Sequence, residues 1–255
     1  LADTKLWILL DEWSSLPHDI QPYLAEFFRR GVLPVSEAVV KIAALEYRSN
    51  FKIRQPADYI GFEIGADLSA TLDLDDYYVY DRNPEQITNA FGDMLYRHLN
   101  SELPEGYLRE QHRVRNGGEL SSRLFTERKT FQELVRAAEG VARDLINIFT
   151  AAFFNAQRRG RSNIDRRAIL DAARQWFEQD KAKSLDEDLQ GALRGIVDEV
   201  IGTRRARSFM LARDLEMNPI VQRLFDARVL HNIVRGYSDR DNPGIRYNIY
   251  SLDYG

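Results

Sequence analysis

The chain has 255 residues, a net charge of −4, and 44% hydrophobic against 29% charged residues. This is the composition of an ordinary folded protein, and it excludes a polyanion binder that acts through bulk positive charge alone. Cysteine is absent and the four histidines are scattered, which excludes disulfides and thiolate metal sites and leaves no residue pair at zinc-ligand spacing.

The location of the protein is inferred from what the sequence lacks. No apolar run reaches the roughly 18 residues that a membrane-spanning helix needs, so we expect no membrane partner. The chain begins at Leu1 with neither a methionine nor a signal-peptide pattern, and the lack of cysteine fits a reducing compartment. We therefore expect a cytoplasmic protein. Because Leu1–Leu10 is typical of the approach to a buried strand, we also expect further sequence upstream.

The first segment, residues 1–100, has the pattern of an α/β fold. The continuous apolar run Lys5–Leu10 predicts a strand covered on both faces, and Pro22–Arg30 predicts a short amphipathic helix. Val39–Leu45 predicts a second buried strand, so the two strands should form a parallel crossover. Asp76–Tyr80 predicts a third strand, and a helix is expected from Pro84 to Leu99.

The remaining residues divide into a helical and a hairpin-containing segment. In residues 101–183, the polar, turn-rich stretch Ser101–Ser122 predicts a linker. A small all-helical domain is expected after it, with helices at Phe131–Ala138, Val141–Gln157 and Ile164–Gln179. In residues 184–255, two helices precede two alternating strands around a Pro-Gly turn; they are Leu189–Ile201, Pro219–Leu230, His231–Tyr237 and Ile245–Leu252. Helices followed by a hairpin favour a winged-helix domain.

The most specific motif is the apolar run Leu6–Leu10 followed directly by Asp11 and Glu12. Such a strand places both carboxylates at the carboxyl edge of a parallel sheet, where ligands of open α/β sheets bind. In P-loop ATPases the first acid holds Mg²⁺ and the second polarises the attacking water. Because side chains alternate along the chain, Asp11 and Glu12 point in different directions, as two distinct roles require.

This motif and the order of the segments resemble the AAA+ ATPases, and most closely their origin-recognition and replication-initiator branch. Leu6–Glu12 is similar to the Walker B strand, and Gly140–Asp144 to the sensor 2 turn of the lid. Residues 184–255 are similar to the winged helix of the initiators. The fold class expected is therefore a partial parallel sheet of an AAA+ core, followed by an all-helical lid and a winged helix.

The resemblance implies an ATP-binding and ATP-hydrolysing switch that uses Mg²⁺. Asp11 would hold the metal, Glu12 would be the catalytic base, and Arg143 would reach the γ-phosphate. An ordinary surface salt bridge from Arg143 to Asp144 or Glu139 is the alternative.

Three features depart from the family pattern. No G-x-x-x-x-G-K-[ST] phosphate loop occurs in these residues, so the chain as given should not bind ATP well. The polar sensor 1 position has several candidates, of which Asn50 is our assignment and Glu46, Arg48 and Ser49 are the others. The arginine finger is also open, with Arg29, Arg30, Arg48 and Arg54 as candidates.

A second set of residues points to DNA. From Arg204 to Arg246 there are nine arginines against five acids. Three of the candidates precede the hairpin, where a recognition helix would enter the major groove, and two lie near the hairpin tip, where they could contact phosphate or the minor groove; they are Gln222, Arg223, Arg228, Arg240 and Arg246. The alternative use of a winged helix is protein contact or packing on the lid.

Several functional alternatives stay open. We expect double-stranded DNA, a second copy of the chain or a partner protein as the macromolecular partner. A DNA-binding or scaffold module with an inactive ATPase core is the main rival, and a signalling ATPase with a purely structural winged helix is another. The arginine cluster of residues 158–161 and 166–167 could meet DNA phosphate or a neighbouring subunit, or lie in a solvated loop. Trp13 is expected in the core, or else beside the nucleotide cleft.

Overall fold

The computed structural model describes residues 4–45, 48–68 and 72–253 and divides the chain into two compact units, Leu1–Leu72 and Asp73–Gly255. The elements of the first unit are β1 (Leu6–Leu10), α1 (Gln21–Gly31), β2 (Ala38–Ile42), β3 (Lys52–Arg54) and β4 (Tyr59–Gly61).

The second unit is mostly helical. Its helices are α2 (Asp75–Tyr78), α3 (Pro84–Glu102), α4 (Tyr107–His112), α5 (Gly117–Leu124), α6 (Arg128–Ala137), α7 (Ala142–Arg158), α8 (Arg166–Trp176), α9 (Glu187–Val197) and α10 (Pro219–Asp226). Its strands are β5 (Ser208–Ala212), β6 (Leu230–Ser238) and β7 (Arg246–Leu252).

A parallel strand pair and one helix form the centre of the first unit. β1 pairs in parallel with β2, with Leu6 opposite Ala38 and Leu10 opposite Ile42, so the predicted parallel pairing is confirmed. α1 connects the two strands and buries Ala25 and Phe28. With Trp13 and Phe62, which are also buried, these two side chains form the core of this unit.

One face of β1 differs from the prediction of a strand covered on both faces. Ile8 and Leu10 pack against the core, whereas Trp7 and Leu9, which alternate with them along the strand, are 55% and 70% exposed. The apolar run could not distinguish a strand covered on one face from a strand covered on both faces, because both faces of β1 carry large apolar side chains. Trp7 is contacted by the Lys41 ammonium at 5.3 Å from its ring centre.

The second unit contains two hydrophobic cores. The first lies among α3 and α5 to α8 and is built from buried residues between Ile87 and Ala173. The second is built from residues between Leu185 and Leu252. Since Ile87, Phe91 and Leu95 of α3 belong to the first of these cores, the division of the chain falls between residues 72 and 73. The first domain predicted from the sequence ends later, at residue 100.

The predicted strand Asp76–Tyr80 is wrong, because this stretch contains the short helix α2. The Tyr78 amide donates to the Leu74 carbonyl at 3.0 Å, which closes a helical turn. The Tyr78 carbonyl lies against Gly140, where an added Cβ would be 2.3 Å from that oxygen. Aromatic and β-branched residues favour strands only where a sheet surface receives them, and here the turn before α7 receives this segment.

The predicted linker Ser101–Ser122 is also wrong, because α4 and the first part of α5 lie within it. Asn116 caps α5 by accepting the Glu119 amide at 2.9 Å, which is the N-cap half of a capping box. Gly117 packs so closely on Gly92 of α3 that a Cβ on it would lie 2.1 Å from the Gly92 carbonyl carbon. The glycine therefore serves close helix packing and does not mark a loop.

The carboxyl-terminal part contains the predicted hairpin. β6 and β7 are antiparallel, and β7 also pairs with β5, which gives the sheet order β5-β7-β6. Helices α8 and α9 each continue into a π-helical turn, at Phe177–Lys181 and Asp198–Thr203. The first of these turns carries two residues of the charged cluster described below.

Candidate functional site

Asp11 and Glu12 lie where the sequence places them, directly after β1 at the carboxyl edge of the parallel pair. Both side chains are exposed. Asp11 Oδ1 accepts the Glu12 amide at 2.8 Å. Glu12 has a left-handed backbone, with φ 53° and ψ 37°, and its carbonyl accepts the Ser15 amide and hydroxyl at 2.9 and 2.8 Å. The turn thus holds the two carboxylates on successive residues of a fixed backbone.

The loop after β2 is bonded to this turn. The Ala43 backbone amide donates to the Leu10 carbonyl at 2.8 Å, and the Trp13 backbone amide donates to the Ala43 carbonyl at 3.2 Å. Ser14 Oγ accepts the Leu45 amide at 2.6 Å and lies 3.0 Å from Ser49 Oγ. The end of β1 and the residues that follow β2 therefore form one hydrogen-bonded edge.

Asn50, the assigned sensor 1 residue, is held by Gln21 at the start of α1. The backbone amide of Asn50 donates to Gln21 Oε1 at 2.6 Å, and Gln21 Nε2 donates to the Arg48 carbonyl at 3.1 Å. Asn50 Oδ1 accepts the Lys52 amide at 3.4 Å. The candidate Glu46 lies outside the described residues.

Trp13 belongs to the core of the first unit and is 2% exposed. Its ring stacks on Phe51 with 5.4 Å between centroids. Its core position, one of the two predicted, fixes the turn that carries Asp11 and Glu12.

Two arginine-finger candidates are engaged within α1. Arg29 Nε donates to Glu26 at 2.9 Å, and Arg30 pairs with the same carboxylate. The Arg29 hydrogen bond, together with bonds from Gly61 and Arg30, lowers the pKa of Glu26 to about 2 despite desolvation. Arg29 also lies over the Tyr59 ring at 4.6 Å, so its contacts join α1 to β4.

The acids at this edge are compatible with Mg²⁺ on one condition. Mg²⁺ prefers oxygen ligands and usually takes one or two carboxylates together with substrate phosphates. Within the described residues, no group of three or more His, Cys, Asp or Glu side chains could hold a metal ion by itself. Asp11 therefore fits a Mg²⁺ ion that arrives with a phosphate ligand, and does not fit a self-sufficient metal centre.

Arg143 lies in the first turn of α7, in the second unit, and its side chain is exposed. Neither expected salt-bridge partner contacts it, because Asp144 pairs with Lys181 and Arg228 and Glu139 pairs with Arg207. The guanidinium is thus available for an external anion.

The next residue, Asp144, opens a cluster of buried charges that sequence reasoning missed. We call this cluster the charged seam; its residues are Glu139, Asp144, Asp180, Lys181, Arg207, Arg228, His231 and Asp253. Lys181 is its centre, with its ammonium 3.2 Å from Asp144 Oδ2 and 2.6 Å from Asp253 Oδ1. The side chains of these three residues are 2%, 0% and 5% exposed.

The charged seam connects the helical core to the β5-β7-β6 sheet. Arg228 Nη1 donates to Asp144 Oδ1 at 2.7 Å, and its Nη2 donates to Asp180. His231 Nε2 lies 3.1 Å from Asp253 Oδ1. Buried ions are stable only when paired and hydrogen-bonded. With four acids and three permanent cations, the seam is neutral only when one proton is held, on His231 or on a carboxyl.

The pKa directions in the seam agree with that count. Burial lowers the pKa of His231, but the hydrogen bond to Asp253 and the charges of Glu139 and Asp253 outweigh it, so the pKa is raised. Burial raises the pKa of Glu139. Although burial acts to raise it, the pKa of Asp253 falls to about 2, because His231 and Lys181 favour its ionised form.

A signal for part of the seam was present in the sequence. Asp144 lies four residues before Ile148, which is four before Ala152, so all three share the buried stripe of α7. An acid on an apolar stripe needs a buried partner, but the sequence does not identify that partner.

The structure corrects the role of Arg228. The predicted position of Arg228 is on the helix before the hairpin, as a DNA contact, whereas α10 ends at Asp226 and Arg228 follows with a left-handed φ of 59°. Its guanidinium is engaged by the two aspartates of the seam. Arg228 is therefore a structural residue.

The other predicted DNA contacts lie at the surface or near it. Arg223 pairs with Asp186, both side chains being 50% exposed, and Gln222 Nε2 lies 3.4 Å from Met217 Sδ. Arg246 donates to Ser238 Oγ at 2.6 Å across the hairpin, and Arg240 is exposed in its turn.

Comparisons with protein-family models, curated proteins and solved structures find no match for this chain. In the part of the chain that the structure describes, no helix combines the length and apolar character needed to cross a membrane.

Proposed function

We propose that this chain is part of a Mg²⁺- and ATP-dependent switch of the AAA+ type, in which Asp11 and Glu12 are the acids of the hydrolytic site. The observation that carries the proposal is the parallel pair β1–β2, which leads directly into two exposed carboxylates at its carboxyl edge. Ligands of parallel α/β sheets bind at this edge.

The two acids have different roles in the proposal. Mg²⁺, when bound with ATP, neutralises charge on the phosphate oxygens. Asp11 would hold the ion directly or through water, and Glu12 would orient the attacking water and accept its proton. Asn50 lies on the loop that is bonded to the same turn, and Arg143 would contact the γ-phosphate when ATP is bound. Because Arg143 would make this contact only while the phosphate is present, it would couple the helical part to the nucleotide state.

A winged helix is the proposed output of the switch. Helices α9 and α10 and the antiparallel order β5-β7-β6 support this assignment. Arg240 and Arg246 at the hairpin and Gln222 and Arg223 on α10 would contact double-stranded DNA, with backbone phosphates as the main target.

A second candidate function is a DNA-binding or scaffold module without nucleotide turnover. It is favoured by one sequence observation, the lack of a G-x-x-x-x-G-K-[ST] loop among the 255 residues. The ATPase proposal therefore requires a phosphate-binding loop from a longer polypeptide or from a partner.

The deciding experiment measures ATP hydrolysis and ATP retention by the full-length polypeptide that carries this chain. Glu12→Gln should reduce turnover by roughly 100-fold or more, since a positioned base contributes about 10²–10⁴, and should leave ATP affinity within about twofold. Asp19→Asn, an exposed aspartate of the same connection, is the matched control and should change neither quantity.

Two results would contradict the proposal. Equal turnover by Glu12→Gln and the wild type would remove Glu12 from the role of base. If the full-length polypeptide neither retains nor hydrolyses ATP, the DNA-binding or scaffold module becomes the better account.

A further inference from the structure

Two arginine-rich segments, residues 109–123 and 158–167, meet where Arg123 lies beside Asn163 in the helical part of the second unit. The Ile164 amide donates to the Leu124 carbonyl at 2.8 Å, and the Thr126 amide donates back to Ile164 at 3.0 Å. Asn163 Nδ2 donates to the Arg123 carbonyl at 2.9 Å. The end of α5 and the turn between α7 and α8 are therefore fixed against one another.

These segments carry a strong local excess of positive charge. Together they contain nine arginines and three acids, whereas the whole chain has a net charge of −4. All nine arginines are exposed. A positive field of this kind on a negative protein is local, and it attracts polyanions to this part of the surface.

Most of the local acids are already engaged by a few of these arginines. Arg159 pairs with Asp171 and Asp165, Arg115 with Glu119, and Arg166 with Glu133. The other six arginines are Arg109, Arg113, Arg123, Arg158, Arg161 and Arg167. Within residues 4–45, 48–68 and 72–253, no acid pairs with any of these six side chains, and Arg158 donates to a neutral side-chain amide. We call the six side chains the α5–α8 basic surface.

A shallow, open depression of about 470 Å³ lies on this surface. Most of the residues that line it are polar or charged, among them Arg113, Asn116, Ser122, Arg123 and the acid Glu119. Its apolar side chain, Val114, is itself buried. The centre of a protein–protein interface is instead apolar and rich in aromatic residues, so the depression fits a charged, hydrated ligand better than a protein surface.

We propose that the α5–α8 basic surface binds the phosphate backbone of double-stranded DNA. Guanidinium groups suit this ligand because their planar donor pairs match two phosphate oxygens. Contacts of this kind position a protein on a duplex and carry no sequence information. The surface includes none of the hairpin arginines, and the inference does not depend on the chemistry of Asp11 and Glu12.

The test compares two triple variants of the 255-residue chain. R123Q/R161Q/R167Q removes three charges from the basic surface, and R97Q/R174Q/R194Q removes three exposed arginines elsewhere in the same unit. Binding to a duplex of about 30 base pairs is measured by fluorescence anisotropy at several salt concentrations. Each lost phosphate contact should flatten the plot of log affinity against log salt by about 0.9.

The surface variant should lose affinity by at least about tenfold at low salt and flatten the salt dependence by about 2.7. The control variant should remain within about twofold of the wild type. Equal losses in the two variants would reduce the effect to bulk charge and overturn the proposal, as would an unchanged surface variant or a wild type that fails to bind the duplex. Displacement of DNA by polyglutamate at equal charge concentration would also overturn it, in favour of an acidic protein partner.

A hairpin variant separates this inference from the proposed winged helix. If R240Q/R246Q binds the duplex with unchanged affinity, that result counts against the hairpin contacts and leaves the proposal for the α5–α8 basic surface unaffected. No nucleotide is present in the measurement, so the outcome of the Glu12→Gln experiment does not alter its interpretation.

Discussion

Glu12 has a left-handed backbone conformation, which is unfavourable for a residue with a Cβ and which glycine would adopt more easily. A left-handed φ disfavours a residue with a Cβ by roughly 1–2 kcal/mol, and such strain is retained mainly where the side chain is needed. The two hydrogen bonds from Ser15 to the Glu12 carbonyl hold this geometry. Because Arg113, Glu139, Arg205 and Arg228 also have a positive φ, the strain alone does not assign a role to this carboxylate.

Replacing Glu12 should therefore separate stability from function. Glu12→Gly relieves the left-handed conformation and should raise the free energy of unfolding by up to about 1 kcal/mol, while it removes the proposed base. Glu12→Gln keeps the Cβ and should leave that free energy unchanged. Urea unfolding of both variants checks this expectation, and a loss of stability in Glu12→Gly would show that the carboxylate itself stabilises the turn.

At the same scale, the positions of some candidate residues in the fold could be predicted from the sequence and those of others could not. Asp11 and Glu12 could be placed because the signal is local, an apolar strand followed by acids. Arg228 could not, because its partners Asp144 and Asp180 lie 84 and 48 positions away in the chain. A buried ion pair between distant segments leaves no local pattern, so the pairings of the charged seam could not be predicted, and only Asp144 on the apolar stripe of α7 left a signal.

At the scale of elements, long periodic segments were predictable and short ones were not. The helices α3, α7 and α8 and the β6–β7 hairpin follow their hydrophobic periodicity. The segments around α2 and α5 were misassigned, because aromatic residues and glycines have meanings that depend on tertiary contacts. Gly117 is the clearest case, since its contact with α3 determines why it is a glycine.

The contact between Gly92 and Gly117 should be intolerant of any side chain. Gly117→Ala would place a Cβ 2.1 Å from backbone of α3, and overpacking of this kind typically destabilises by about 1–3 kcal/mol. Gly191→Ala is the control, because Gly191 lies on α9 with nothing within 4 Å of the added atom. That change should instead stabilise by about 0.5–1 kcal/mol.

Thermal or urea unfolding of the two alanine variants provides the measurement. If Gly117→Ala is as stable as the wild type, α3 and α5 do not pack as closely as described, and the depression on the α5–α8 basic surface would have a different shape.

At the scale of the second unit, the charged seam couples the helical core to the carboxyl-terminal sheet. Its charge balance depends on proton occupancy, and the groups that face His231 are Asp253, Glu139 and Lys181. The folded state raises the pKa of His231 above its ordinary value of 6.5. The stabilising contribution of this histidine is therefore complete below pH 6.5 and is lost as the pH rises through the folded pKa.

The free energy of unfolding should accordingly fall as the pH is raised above 6.5. His231→Gln should lower stability at pH 6 by about 1–3 kcal/mol, because it leaves a buried carboxylate short of a partner, and should reduce the pH slope above neutrality. His98→Gln, which changes an exposed histidine, should keep the wild-type profile. Urea unfolding from pH 5.5 to 8.5 distinguishes these outcomes, and equal slopes in all three proteins would exclude His231 as the titrating group.

The charged seam also determines what happens when the chain of the second unit is divided into two fragments. A break near residue 184 would leave Glu139, Asp144 and Asp180 with only Lys181 on one fragment, and Arg207, Arg228 and His231 with only Asp253 on the other. Each piece would then present to water a patch that is normally covered, one with surplus acid and one with surplus base. The two pieces, expressed separately, would be complementary in charge and should recombine into one folded particle, as the halves of a split reporter do.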